Sequence, residues 1–172
     1  MNHHQNHIQK PQFTNDTCKT ICHNLYKKVF KLLLIPFEQD DCKIKTGIKS
    51  HKDRKARLIN LLENYFEDLE FNQYQMALTV CYADKFLSKM IAGDHCILKQ
   101  INFLFLKSVL ILSITVTHKM TCDFVFSNSS LETKLFKISN LGQLEDDYYE
   151  LVDYNFFVPF EDVLYYLSLL LK

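Results

Sequence analysis

From Ile97 to Lys119 the chain reads ILKQINFLFLKSVLILSITVTHK, and the helix this run predicts is apolar on every side. Any exposed face would hold apolar area in water at about 25 cal/mol per Å², so such a helix belongs at the centre of a bundle. Leu104, Phe105, Val109 and Leu112 are expected among its core residues. A membrane span needs about 20 uninterrupted apolar residues, and Lys107 divides this run.

The flanking segments show the narrower stripes of helices with one wet face. Cys18, Ile21, Cys22, Leu25, Val29, Leu32 and Leu33 recur at helical spacing ahead of Pro36 and predict an amphipathic helix over 16–35. RLINLLENYFEDLEF places Leu58, Leu61, Leu62, Tyr65 and Phe66 on one face. YQMALTVCYADKFLSKM does the same with Met76, Val80, Ala83, Phe86, Leu87 and Met90. The short Glu70-Phe71-Asn72 connection predicts that these two helices run antiparallel. A last helix is expected over 160–171. Residues 1–15 are polar and rich in His and Asn, which predicts a flexible tail; 36–52 lacks periodicity and reads as a linker.

Composition sharpens the fold class. Three glycines and three prolines in 172 residues leave too few turn formers for an all-β fold, so a single all-α domain over 16–172 is expected. Lys plus Arg and Asp plus Glu each number 20, so no net field favours a phosphate backbone, and neither nucleic acid nor membrane is the expected partner. The first residues contain no apolar run of the secretory kind, and six cysteines in this context fit reduced thiols, which points to cytoplasm or nucleus.

Little in the chain offers catalytic or metal chemistry. Cys18, Cys22 and His23, with Cys42 as a fourth ligand, have zinc-binding residue types, but both cysteines of the helix fall in its apolar stripe and read as core thiols. His3, His4 and His7 read as solvated. With three glycines there is no phosphate-cradling loop, and His118, Lys119, Cys122 and Asp123 do not form a nucleophile, base and orienting group. Neither an enzyme nor a cofactor is expected. Asp84 stands beside the buried seam of its helix, where a carboxylate needs a cationic partner. Arg57, or failing it Arg54 or Lys55, is the expected partner, joining the two helices.

Tyr82, Ala83, Asp84, Lys85, Phe86, Leu87 and Ser88 spell Y-x-D-[KR]-F-L-S after a helix and a short turn, which resembles the second helix of a cyclin box. A long buried helix closing on Lys119 follows. KMTCDFVFSN is then similar to the K-x-x-D-D and Y-x-N-type stretch of single-box P/U-type cyclins of the phosphate-regulon kind. Leu144 and Glu145, followed by Tyr154, Asn155 and Phe156, match the family's fifth helix and the segment after it. The similarity spans about residues 54 to 170.

The resemblance implies a cyclin box over 53–156, five helices around a central buried one, with extra N- and C-terminal helices. It implies a non-catalytic activator that forms a heterodimer with a cyclin-dependent protein kinase. The residues it assigns to kinase binding are Lys119, at a helix C-terminus, and Glu145, in the first turns of a helix capped by Ser139 or Asn140. The sequence departs from the family in keeping only Asp123 of the acidic pair after the lysine. It has no Trp, and only Ala56, Arg57, Leu58 and Ile59 stand for the substrate-docking motif. An alternative is a cyclin-fold structural or interaction subunit of a larger complex without a kinase partner.

Overall fold

The computed structural model describes residues 15–25, 51–93 and 103–171. Every regular element among them is helical: α1 (Asn15–Leu25), α2 (His51–Asp68), α3 (Gln73–Gly93), α4 (Phe103–Thr121), the single turn α5 (Asn128–Ser130), which passes into a π-helical turn (Leu131–Phe136), α6 (Leu141–Leu151) and α7 (Phe160–Leu170). The all-α class expected from composition is observed. The expected tail, helix residues 26–35, most of the linker and residues 97–102 of the apolar run lie outside the described residues.

The turn between α2 and α3 is built without glycine. Glu70 takes the left-handed conformation at φ 52°, while the Phe71 amide donates to the Phe66 carbonyl at 2.9 Å and the Glu70 amide to Glu67 at 3.0 Å. This is a Schellman closure, and its usual hydrophobic contact is the stacked pair Phe66 and Phe71, with centroids 5.8 Å apart. Asn72 then opens α3 through a capping box. Its side chain accepts from the Gln75 amide at 3.0 Å, and Gln75 Oε1 accepts from the Asn72 amide at 2.9 Å. The side-chain amide of Gln75 donates to Thr121 Oγ1 at 2.9 Å, which fixes the start of α3 to the end of α4.

α4 is buried without interruption from Val109 to His118. Its hydroxyls are satisfied within the helix: Ser113 donates to the Val109 carbonyl and Thr115 to Ile111, both at 2.8 Å, and Thr117 to Ser113 at 2.9 Å. A small polar group can therefore occupy the core without an unmet hydrogen bond. Thr79 of α3 meets Thr117 at 3.0 Å across the helix interface.

α4 lies at the centre and is joined there by a second helix. α3 packs against α4, α6 and α7, is buried from Gln75 to Ala83, and shares the centre with α4. Val109 and Leu112 lie in the core as expected. Phe105 is half-buried at the α3 edge, 6.5 Å from Phe86, and the Leu104 side chain lies outside the described residues. Tyr148 of α6 stacks on Phe86 at 4.9 Å and donates its hydroxyl proton to the Tyr82 carbonyl at 3.2 Å. α1 packs on α2 and α7, and the Asn24 side-chain amide donates to the Leu170 carbonyl at 2.9 Å, meeting an acceptor that the end of α7 leaves open.

Cys18 and Cys22 are buried, one helical turn apart, as thiols of the α1 core face. Among the described residues no three His, Cys, Asp or Glu side chains gather to hold a metal ion; Cys42 lies outside them. No described helix is long and apolar enough to cross a membrane.

Leu110 is 1% exposed, so Leu110→Ala is expected to lower stability by about 2–5 kcal/mol in a denaturant titration. Phe124→Ala, at a side chain 75% exposed, should change it by less than about 0.5 kcal/mol. Equal effects from the two substitutions would place α4 on the surface.

Candidate functional site

Where α4 reaches the surface its sequence turns from apolar to cationic, and Lys119 occupies the last turn, where the helix dipole favours a positive charge. The Lys119 ammonium donates to both carboxylate oxygens of Glu145, at 2.7 Å to Oε1 and 2.6 Å to Oε2. The chain thus brings together the two residues to which the cyclin-like motifs drew attention.

Two further donors complete the arrangement. Asn128 Nδ2 donates to Glu145 Oε2 at 2.9 Å, and the Tyr149 hydroxyl, one helical turn beyond, makes a short hydrogen bond to Oε1. Counting Lys119 on each oxygen, the carboxylate accepts four contacts, which is its full acceptor capacity. Lys119 is different. An ammonium has three protons, two go to Glu145, and its side chain is 25% exposed against 5% for Glu145. The pair is therefore a buried anion holding a surface cation with one proton to spare.

Burial by itself would raise the Glu145 pKa, but the hydrogen bonds from Lys119, Tyr149 and Asn128 outweigh it, and the carboxyl titrates below its ordinary value. The Tyr149 hydroxyl is pushed up, by burial first and then by its bond to Glu145. His118, one residue before Lys119, is buried in an aromatic stack between Phe71 (6.3 Å) and Phe126 (5.3 Å). Burial, then the neighbouring Lys119 charge, lowers its pKa, so the ring is held neutral. Its Nδ1 and the Oδ1 of Asn128 are buried without a partner among the described residues.

Sequence reasoning missed Asn128 and Tyr149. Tyr149 stands four residues after Glu145 on one helical face, a spacing that the sequence displays. Asn128 closes the KMTCDFVFSN stretch, but only the fold shows it reaching Glu145. The expected cap of α6 is corrected. Asn140 occupies the cap position at φ 64° with no side-chain cap bond, because a capping side chain needs an extended backbone. Glu132 supplies the acceptor instead, taking the Leu141 amide at 2.5 Å.

Asp84 and Arg57 are not brought together. Both are exposed, and among the described residues no ion pair joins them. Asp84 stands on the outer side of α3, open to water. It lies against the Tyr166 hydroxyl of α7, whose pKa is raised by burial and then by this carboxylate. The side chains of Arg54 and Lys55 lie outside the described residues.

No protein-family model, curated protein or solved structure matches the chain.

The site makes stability pH-dependent in one direction. A depressed carboxyl pKa at Glu145 gives stability that is present above the unfolded-state value, near 4.3, and is lost as pH falls below it. The depressed His118 pKa adds a loss that begins as pH falls through the unfolded value near 6.5. Melting temperatures measured from pH 8 to 4 should decline through both windows. His118→Phe should flatten the upper one, and Glu145→Gln with Lys119→Met the lower. An unchanged upper window in folded His118→Phe would assign it to other histidines.

Proposed function

We propose that the chain is a non-catalytic cyclin that binds and activates a cyclin-dependent protein kinase, with Lys119 at the centre of the contact. The observation that carries this reading is the Lys119 and Glu145 pair, built from the two residues that the cyclin-like motifs single out and closed at 2.6 Å. A preformed pair loses less side-chain entropy on association than a free lysine, and its spare proton suits a backbone carbonyl at the end of a partner helix. Apolar shoulders support the same use. Met120 is about half exposed, and Tyr149 and Phe156 pack edge to face at 4.8 Å. In this reading Glu145, already saturated, positions Lys119 more than it contacts the kinase.

A structural subunit without a kinase is the second reading, and it rests on another observation: Tyr154, Phe157, Phe160 and Tyr165 are all exposed around α7. Aromatic side chains of this kind are enriched in permanent interfaces.

Tagged full-length chain recovered from its native cell should carry a cyclin-dependent kinase, and the purified pair should phosphorylate a general substrate faster than the kinase alone. Lys119→Ala is expected to weaken kinase binding by about 2–5 kcal/mol. Because that substitution also strands Glu145, Met120→Glu, at an exposed position, serves as the variant that leaves the fold intact. Kinase binding retained by both, or a stoichiometric complex lacking any kinase, would reject the first reading.

A further inference from the structure

We propose a second binding site, on the opposite side of α3 from α4, which takes an arginine side chain of a partner polypeptide. α3, α7 and the segment joining α6 to α7 enclose an open cavity of about 370 Å³, within the range of pockets that hold small ligands. Its walls are mixed: Phe157, Tyr165 and Tyr166 supply ring surface, and Asp84 and Asp162 supply carboxylates. The Cys81 thiol at its base is raised to about 12, by burial first and then by Asp162 and Asp84. Both carboxylates line the same cavity as this buried thiol.

The charge of this cavity is only partly compensated from within, since two carboxylates line it with one ammonium. No ion pair reaches Asp84 or Asp162 among the described residues. Lys85, the one cation lining the cavity, is committed to the joining segment: it donates to the Phe157 carbonyl at 3.0 Å and to Asn155 Oδ1 at 3.3 Å. Beyond the cavity, every charged residue from Leu141 to Leu171 is acidic. A solvated acid pair alone would attract any cation. Aromatic rings beside two carboxylates select a flat cation whose face stacks while its edge donates, and that is a guanidinium more than an ammonium. Phe157 and Tyr165, at 75% and 60% exposed, leave ring surface for it to cover. This site does not rest on the kinase reading, whose charged pair lies on α4 and α6.

The test uses the isotope-labelled full chain and two small probes, N-acetyl-arginine methylamide and its neutral isostere N-acetyl-citrulline methylamide. The arginine probe should shift the amide resonances of Asp84, Phe157, Asp162 and Tyr166 saturably in the millimolar range, more weakly as salt is raised. The citrulline probe should not. Asp84→Asn with Asp162→Asn, both at exposed positions, should weaken binding about tenfold or more while the melting temperature holds. Equal shifts from both probes, no saturable shift in the wild-type chain, or undiminished binding by the folded double variant would each overturn the proposal. The comparison of the two probes on the wild-type chain decides even if the double variant fails to fold.

Discussion

A helix with no polar face has to be enclosed, and the enclosure of α4 governs the rest of the fold. From Val109 to His118 every residue is buried, so α3 covers one side and α6 another, and every hydroxyl within it has to find an acceptor in the dry interior. Ser113, Thr115 and Thr117 do so by bonding back to the preceding turn. The helix ends where this solution runs out. Lys119 is a full charge, and its methylene stem carries it from the core edge to water. The group that meets it there is the carboxylate of Glu145, on a helix that covers α4.

The same logic marks what the sequence discloses. Residues 103–121 are legible because apolarity on all sides has only one physical outcome. The exposure of Asp84 was hidden for a definite reason. Its neighbours Ala83, Phe86 and Leu87 are buried, but a helix turns 100° per residue, so one position can leave the seam that its neighbours on both sides occupy. The exposure of a lone charge depends on which helix covers which face, and α7, far along the chain, decides that for Asp84.

Turns were hidden for another reason. The described chain turns at Glu70, Lys137, Asn140, Asp153 and Tyr154, all non-glycine residues at positive φ. Such positions ordinarily draw glycine, which avoids the strain of a Cβ in the left-handed region. At Glu70 and Asp153 the next residue offsets the strain: an aromatic side chain folds back on the helix just ended, Phe71 on Phe66 and Tyr154 on Tyr149. Both closures are Schellman motifs, since the Tyr154 amide reaches the Tyr149 carbonyl at 2.8 Å as Phe71 reaches Phe66. Aromatic spacing across a helix end therefore carries here the punctuation that glycine usually provides.

That spacing also links the turns to the site. Tyr149 receives Tyr154 and Phe156 on its ring while its hydroxyl holds Glu145. The segment after α6 is thereby anchored through the residue that orients the carboxylate. Phe156 faces this ring, whereas Phe157 lines the cavity against α7. Successive residues of an extended segment point to opposite sides, so one short stretch supports the Lys119 pair with one side chain and walls the acidic cavity with the next. The two sites share no side chain, yet displacement of this stretch would disturb both. Lys85 resists such displacement, since its ammonium bonds Asn155 and the Phe157 carbonyl from the neighbouring helix. The lysine of the Y-x-D-K-F-L-S stretch thus acts here as a clamp on the segment between the sites, a part that its place in the motif does not reveal.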